Sequence, residues 1–260
     1  KIMTTRGRPL RIVVVQVIVL CAAVALWEMA TRLQLIDKVW TSSPSLIVAK
    51  FWTSLISGDL IYHTRVTMWE ALSGLGAGTV VGVALGLMIG MTRFVGTVVE
   101  PFIVALNSLP RVALAPLIVM YVGIGFASKF LLAFSLVVVP VMINTYEGIL
   151  SVDPVLVNVM RVMGAKRWQM FVKLMLPNCV PWIFSALRVS ISFAIIGAIV
   201  GEFISARAGI GYMIDTAAGG FDTTGMIMPL FVLMMLAFLL DRLFVEVSGR
   251  LLRWRDTETP

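Results

Sequence analysis

Long uninterrupted apolar runs, rather than alternation, organise this chain. Six stand out: Ile12 to Ala30, Val66 to Met91, about Val98 to Val122, about Ser128 to Tyr146, about Val180 to Ile204, and Gly225 to Val245. Each approaches the roughly 20 residues that a helix needs to cross hydrocarbon. A spanning barrel strand would instead alternate polar and apolar positions over roughly 10 residues. The backbone in lipid must satisfy its own hydrogen bonds, so continuous runs predict helices. Lys1, Arg6, Arg8 and Arg11 precede the first run, as in a secretory signal. That run is longer than a signal core, so it reads as a retained helix.

The stretches between the runs are not uniform. Thr31 to Arg65 is mixed, with Pro44-Ser45 suiting a helix start and an amphipathic Leu46 to Leu55 after it. Pro101, Pro110 and Pro116 interrupt the third run and Pro140 lies in the fourth. Ser205 to Thr224 is rich in Gly and Asp and reads as loop. Glu147 to Lys173 is polar yet patterned. Val155, Val159 and Val162 recur at helical spacing, and Asp153-Pro154 offers an N-cap followed by Pro at the first helical position. Gly164 then breaks the helix, and Ala165 to Leu174 suits a second one. Two short helices, at roughly a right angle on the membrane surface, are expected. Such helices either dock a partner or simply rest on the bilayer, and the pattern leaves both readings open.

Composition agrees with the pattern. Hydrophobic residues make up 59% of 260 positions, charged residues 13%, and mean hydropathy is +0.97. One soluble core of this length could not bury so much apolar surface. The net charge of +7 would suit nucleic acid, but the cations flank the apolar runs. Thirteen of the 21 Lys and Arg fall on the side holding both termini, six fall on the other, and Arg111 and Arg188 lie within spans. The positive-inside rule places both termini, and the Glu147 to Lys173 loop, in the cytoplasm. Cys21 and Cys179 make no disulfide framework. The fold class is therefore an all-α integral membrane protein of about six transmembrane helices.

Gly74, Gly78, Gly82, Gly86 and Gly90 repeat every four residues in the second run, and Gly197 and Gly201 repeat the device in the fifth. Each glycine costs about 1 kcal/mol in a helix relative to Ala, so a return is expected. Small residues at that interval let another helix approach closely. Charge inside a span is expensive. Glu70, Glu202 and Arg188 are explained by anchoring at the interfaces. Arg111, beside Pro110, either pairs with an acid or faces an aqueous path where it attracts an anion. His63, the single histidine, is expected outside the spans, so there is no His-Glu-x-x-His zinc pair. No Gly-x-x-x-x-Gly-Lys-Ser/Thr loop occurs, so the chain does not bind ATP by that route.

The run Gly164-Ala-Lys-Arg-Trp-Gln-Met-Phe-Val-Lys-Leu-Met-Leu-Pro177, preceded by Ser151-Val-Asp-Pro154, resembles the cytoplasmic signature of binding-protein-dependent ABC importer permeases. Asn107-Ser-Leu-Pro-Arg-Val-Ala-Leu-Ala-Pro116, Val122-Gly-Ile-Gly125 and Gly201-Glu-Phe203 are similar to the nitrate/sulfonate/taurine branch. The resemblance runs from about His63 to Val245. It implies a type I permease fold in which residues 147–177 form a coupling helix seated on an ATPase. Asp153, Asn158, Met160, Met163, Gly164, Ala165, Lys166, Arg167, Trp168, Leu176 and Pro177 would carry that contact. Met160, Met163 and Trp168 would fill the groove, and Lys166 and Arg167 would read its rim.

The signature expects Glu-Ala-Ala where Asn158-Val159-Met160 stand, so the acid is missing. Asn107, Arg111, Asn144, Tyr146 and Glu202 would belong to the path. The domains implied are 1–62 (cytoplasmic tail, first span, extracytoplasmic amphipathic segment), 63–245 (permease domain) and 246–260 (basic cytoplasmic tail). The implied partners are a second copy, two cytoplasmic ATPases, an extracytoplasmic solute-binding protein and the membrane, with no nucleic acid. No cofactor belongs to this chain; ATP and Mg belong to the ATPases. The implied location is the bacterial cytoplasmic membrane. The branch handles nitrate, sulfonates and also neutral or cationic organic molecules. An ATP-independent secondary transporter or channel is the alternative, and it leaves the coupling-type loop unexplained.

Overall fold

The structure, a computed structural model, describes residues 10–251. Lys1, Arg6, Arg8, Arg253 and Arg255, on which part of the charge count rests, lie outside the described residues, as does most of the basic tail. Among the described residues every regular element is helical. Five helices are long and apolar enough to cross a membrane: α1 (Leu10–Arg32), α4 (Asp59–Gly90), α7 (Phe126–Leu150), the continuous helix Arg167–Ser205, and α12 (Thr223–Leu251). The sixth is a bent pair. α5 (Arg93–Ser108) is followed by a 3₁₀ turn (Arg111–Leu114) and α6 (Ala115–Val122), with a 75° bend between the two arms. Large apolar side chains such as Val19, Leu20, Val80 and Met88 point outward, as lipid-facing positions must.

The bend has a local cause. Leu109 is extended (φ −68°, ψ 125°), the conformation that a following proline favours, and Pro110 has no N–H with which to continue the helix. Pro101 stays inside α5, Pro140 stays inside α7, and Pro116 occupies the first turn of α6. Only one of the three expected interruptions therefore breaks the chain. Other boundaries also moved. α4 begins at Asp59, about two turns before the apolar run, and carries His63 and Arg65 within it. Residues 205–224, expected to be loop, contain α11 (Ile210–Gly219).

The chain forms two compact units, residues 10–61 with Met213–Phe231, and residues 62–212 with 232–251. In the first, α1 is followed by the short α2 (Lys38–Thr41) and by α3 (Pro44–Ile56). Glu28, in the last turn of α1, accepts from the Ser45 N–H at 3.1 Å and from the Ser45 hydroxyl at 2.9 Å. Lys50 of α3 pairs with Asp222, and the Ser42 and Thr224 hydroxyls bond at 2.8 Å. Lys50 beside it holds the Asp222 carboxyl below its ordinary range.

The second unit is built on α7. The five α4 glycines face it. A Cβ at Gly82 would lie 2.7 Å from the Val138 carbonyl, and one at Gly86 would lie 2.6 Å from that of Met142. Gly78 faces Val137, Gly90 faces Ile149, and Gly74 faces Ala133. Gly197 on α10 (Leu176–Ser205) faces Ala133 as well, and Gly201 faces Lys129. Ala133 is fully buried between the two stripes. The absent side chains let backbone meet backbone, which is where helix association in lipid finds its packing energy. Arg188 does not snorkel alone. Its guanidinium donates twice to Asp241, at 2.7 and 3.1 Å, and joins α10 to α12.

Candidate functional site

The segment between α7 and α10 is short, ordered and held at both ends. α8 (Pro154–Val162) starts as the pattern predicts, with the Asp153 Oδ1 accepting from the Val155 N–H at 2.8 Å and Pro154 in the first turn. The Met163 N–H closes back on the Val159 carbonyl. Gly164 then adopts φ +76°, a left-handed turn that any side chain would strain. The Gln169 side chain accepts from the Lys166 N–H at 2.8 Å and starts α9 (Arg167–Met170).

The second helix does not end at Leu174, as expected. α9 passes through a wide π-helical turn (Phe171–Met175) directly into α10, forming one helix of 39 residues. Pro177 explains the wide turn: it lacks an N–H, and its ring would clash with the carbonyl four residues back. The segment is therefore joined to α10 by unbroken helix.

Sequence reasoning missed the residue that ties this segment down. Asn178 donates to the Gly148 carbonyl at 2.8 Å and to the Ser151 hydroxyl at 2.9 Å, linking the end of α7 to the start of α10. Gly148 itself faces the Cys179 backbone so closely that a Cβ there would lie 3.0 Å away. What the segment leaves outward is apolar: Val162 is 90% exposed, Met163 80% and Trp168 68%. Asn158, Lys166 and Arg167 are exposed around them, Ala165 and Leu176 are half-buried, and Pro177 is exposed. Met160, expected to fill a groove, is half-buried against its own fold.

The opposite end of these helices carries buried charge. Glu202 is 1% exposed, and its oxygens accept from the Thr67 hydroxyl at 2.7 Å and from the Gly211 N–H at 2.6 Å. Thr67 in turn accepts from the Ile210 N–H at 2.8 Å, and the His63 Nδ1 accepts from the Gly209 N–H at 2.9 Å. Gly209, at φ +115°, sits directly against the Glu202 carboxylate, where a Cβ has no room. The Glu70 carboxyl meets that of Glu202, with Lys129 nearby donating to the Ser205 carbonyl at 3.1 Å. Glu70 and Lys129 are each 4% exposed. In place of the interface anchoring expected of Glu70 and Glu202, both carboxyls are buried against each other, because each lies on the face of its helix that packs inward. Glu202 thus lies in the packed interior and holds the 206–211 turn. A cavity of about 370 Å³ opens beside Glu70, Lys129 and the exposed Arg207.

The remaining path candidates do not form one cluster. Arg111 donates to the Ser135 carbonyl at 3.3 Å and to the Asn107 side chain at 3.4 Å, so those two meet at the broken span. Asn144 bonds the Pro140 carbonyl of its own helix, and Tyr146 packs on the Ile89–Ile103 cluster. Among the described residues no His, Cys, Asp and Glu group is arranged to hold a metal ion.

A family model described as "Binding-protein-dependent transport system inner membrane component" matches residues 78–253. The chain belongs to this family. The permease is 32% identical over 228 residues to the riboflavin transport system permease protein RibX of Chloroflexus aurantiacus, covering 88% of this chain and 85% of that one. It is also 32% identical over 232 residues to the putative aliphatic sulfonates transport permease protein SsuC of Escherichia coli, covering 89% and 88%. Among solved structures, the MetNI methionine ABC transporter in an inward-facing conformation matches with a TM-score of 0.65 at 19% identity, over 74% of this chain and 95% of that one. That likeness shows the type I importer permease fold. The permease is thus a multi-pass membrane component of an ABC transport system.

Proposed function

We propose that this permease forms, with a second copy, the translocation path of an importer driven by two cytoplasmic ATPases, and that the α8–α9 segment is where their movement enters the membrane. One observation carries the reading. Val162, Met163 and Trp168 stand exposed on a capped, turn-locked segment that continues unbroken into Arg167–Ser205. Exposed apolar anchors ringed by polar side chains are the pattern of a partner contact. A rigid helix moves the span it joins as a body. ATP and Mg bind the ATPases, and a separate binding protein delivers the solute.

Both termini are cytoplasmic in this reading, and the membrane is the bacterial inner membrane. The Glu202 end then faces outward, and the cavity beside Lys129 and Arg207 lies where solute arrives. Asn107 and Arg111 lie deeper, at the broken span. The cations support an anionic or polar organic solute, in keeping with the sulfonate-related relative. The missing acid at Asn158 leaves the ATPase contact to neutral and cationic side chains.

A cysteine at position 163, placed in the Cys21→Ala background, tests the reading in membranes that also contain the cognate ATPase. A thiol cross-linker is expected to capture the ATPase from Met163→Cys and to stop ATP-dependent uptake. Uptake that persists without ATP, with no ATPase captured, would overturn it.

A further inference from the structure

α3 is a helix that the importer reading does not use. On its exposed side Val48, Ala49, Trp52 and Ile56 recur at three- and four-residue spacing and so share one face, with the uncharged Ser45 and Thr53 exposed beside them. Val48 is 54% exposed, Trp52 56% and Ile56 82%, while Ile47 on the other side is buried. Lys50 is the single charged residue of α3, and it is turned to Asp222. An apolar face this bare is costly in water.

Two tethers set the depth of the helix. Its N-terminus is bonded through Ser45 to Glu28, in the last turn of the span α1. Farther along, Lys50 is bonded to Asp222, which immediately precedes the span α12. Both attachments are to span ends, so α3 lies at the level where those spans leave the hydrocarbon. Trp40, 81% exposed on the preceding α2, stands at the same junction. Tryptophan is enriched at that level because its ring is apolar and its N–H is wet.

We infer that α3 is an interfacial helix, its Val48–Ala49–Trp52–Ile56 face set into the headgroup–acyl boundary of the bilayer. Lipid is the occupant of that face. The inference rests on the chain crossing the membrane and not on its coupling to an ATPase. Electrostatic attraction is not required, since the face holds no charge; burial of apolar area supplies the binding.

Nitroxide labels test this in the full-length Cys21→Ala protein reconstituted into phosphatidylcholine and phosphatidylglycerol bilayers. Labels would replace Ala49, Trp52 or Ile56, with Ser57 as the reference just past the helix. Collisions with molecular oxygen, which concentrates in lipid, are compared with those of a water-soluble nickel chelate. Oxygen is expected to be favoured by about threefold or more at 49, 52 and 56 relative to 57, as for a face buried in the boundary region. Ala49→Cys, the smallest change, serves if the larger replacements disturb folding. Nickel access at 49 and 56 equal to that at 57 would overturn the inference in favour of a face in water. Exclusion of both reagents would overturn it in favour of cover by protein, such as a second copy.

Discussion

The two ends of the α4–α7–α10 bundle solve opposite problems. At one end polar groups are withdrawn from solvent and bonded to each other: Glu202 to Thr67 and Gly211, His63 to Gly209, and Lys129 to Ser205. At the other end apolar groups are pushed outward, with Val162, Met163 and Trp168 left uncovered on a stiff turn. Buried charge is costly unless it is bonded, so the bonds made here favour one arrangement, while the Glu70 Oε2 and the Ser205 hydroxyl are left without a partner. Exposed apolar surface is tolerated only when something comes to cover it. The first end thus favours one arrangement, and the second carries the surface proposed to meet the ATPase.

The largest expected effect breaks the first end. Glu202→Ala leaves the Thr67 hydroxyl and the Gly211 N–H without their acceptor in a buried site. Loss of about 3 kcal/mol or more is expected, read as a lower thermal midpoint in detergent. A midpoint equal to that of the wild type would mean the 206–211 turn does not depend on Glu202.

Next comes the packing between the ends. Gly86→Ala places a methyl 2.6 Å from the Met142 carbonyl, and overpacking of this kind costs about 1–3 kcal/mol. Gly76, which has open space around it, is the control: Gly76→Ala should gain stability through helix propensity, by up to about 1 kcal/mol. Equal effects at both positions would dissolve the distinction between a packed stripe and a lipid-facing one.

Trp168→Ala probes the other end. Its ring is exposed, so stability should change by less than about 0.5 kcal/mol. Recovery of the ATPase with tagged permease should fall about tenfold or more, as for an interface anchor. Loss of stability with full recovery would reverse the assignment.

The smallest effect separates exposed charge from buried charge. The Asp222 carboxyl is held below its ordinary range by Lys50, and both side chains remain two-fifths exposed. A lowered carboxyl stabilises the fold above its unfolded pKa, and that contribution is lost as pH falls through the folded value. Screening limits it to under about 1 kcal/mol. The thermal midpoint of Asp222→Asn should therefore lie slightly below wild type at neutral pH and converge with it in acid. A gap that persists in acid would remove the ion pair as its cause.

Much of this was legible in the chain. Apolar runs named the spans because lipid forces each helix to satisfy its own backbone, a local condition. The Asp153 cap and the Gly164 turn were readable for the same reason, since both are set by residues within a few positions. The glycine stripe announced close packing but not its target, because the target lies on another helix. Glu70 and Glu202 read as two separate interface anchors, since nothing local says that the two carboxyls, on different helices, meet in the interior. Asn178 went unnoticed because its partners, Gly148 and Ser151, are about thirty residues back.

Sequence by itself thus determined an all-helical membrane protein, its family and the capped, glycine-turned segment between α7 and α10, all properties carried by periodicity and short spacing. Tertiary structure alone decided that α9 runs unbroken into α10, that Ala133 sits between two glycine stripes, and that Glu70, Lys129 and Glu202 are buried together at one end of the bundle. Those depend on which distant groups come within a hydrogen bond's length, and only the folded chain sets that distance.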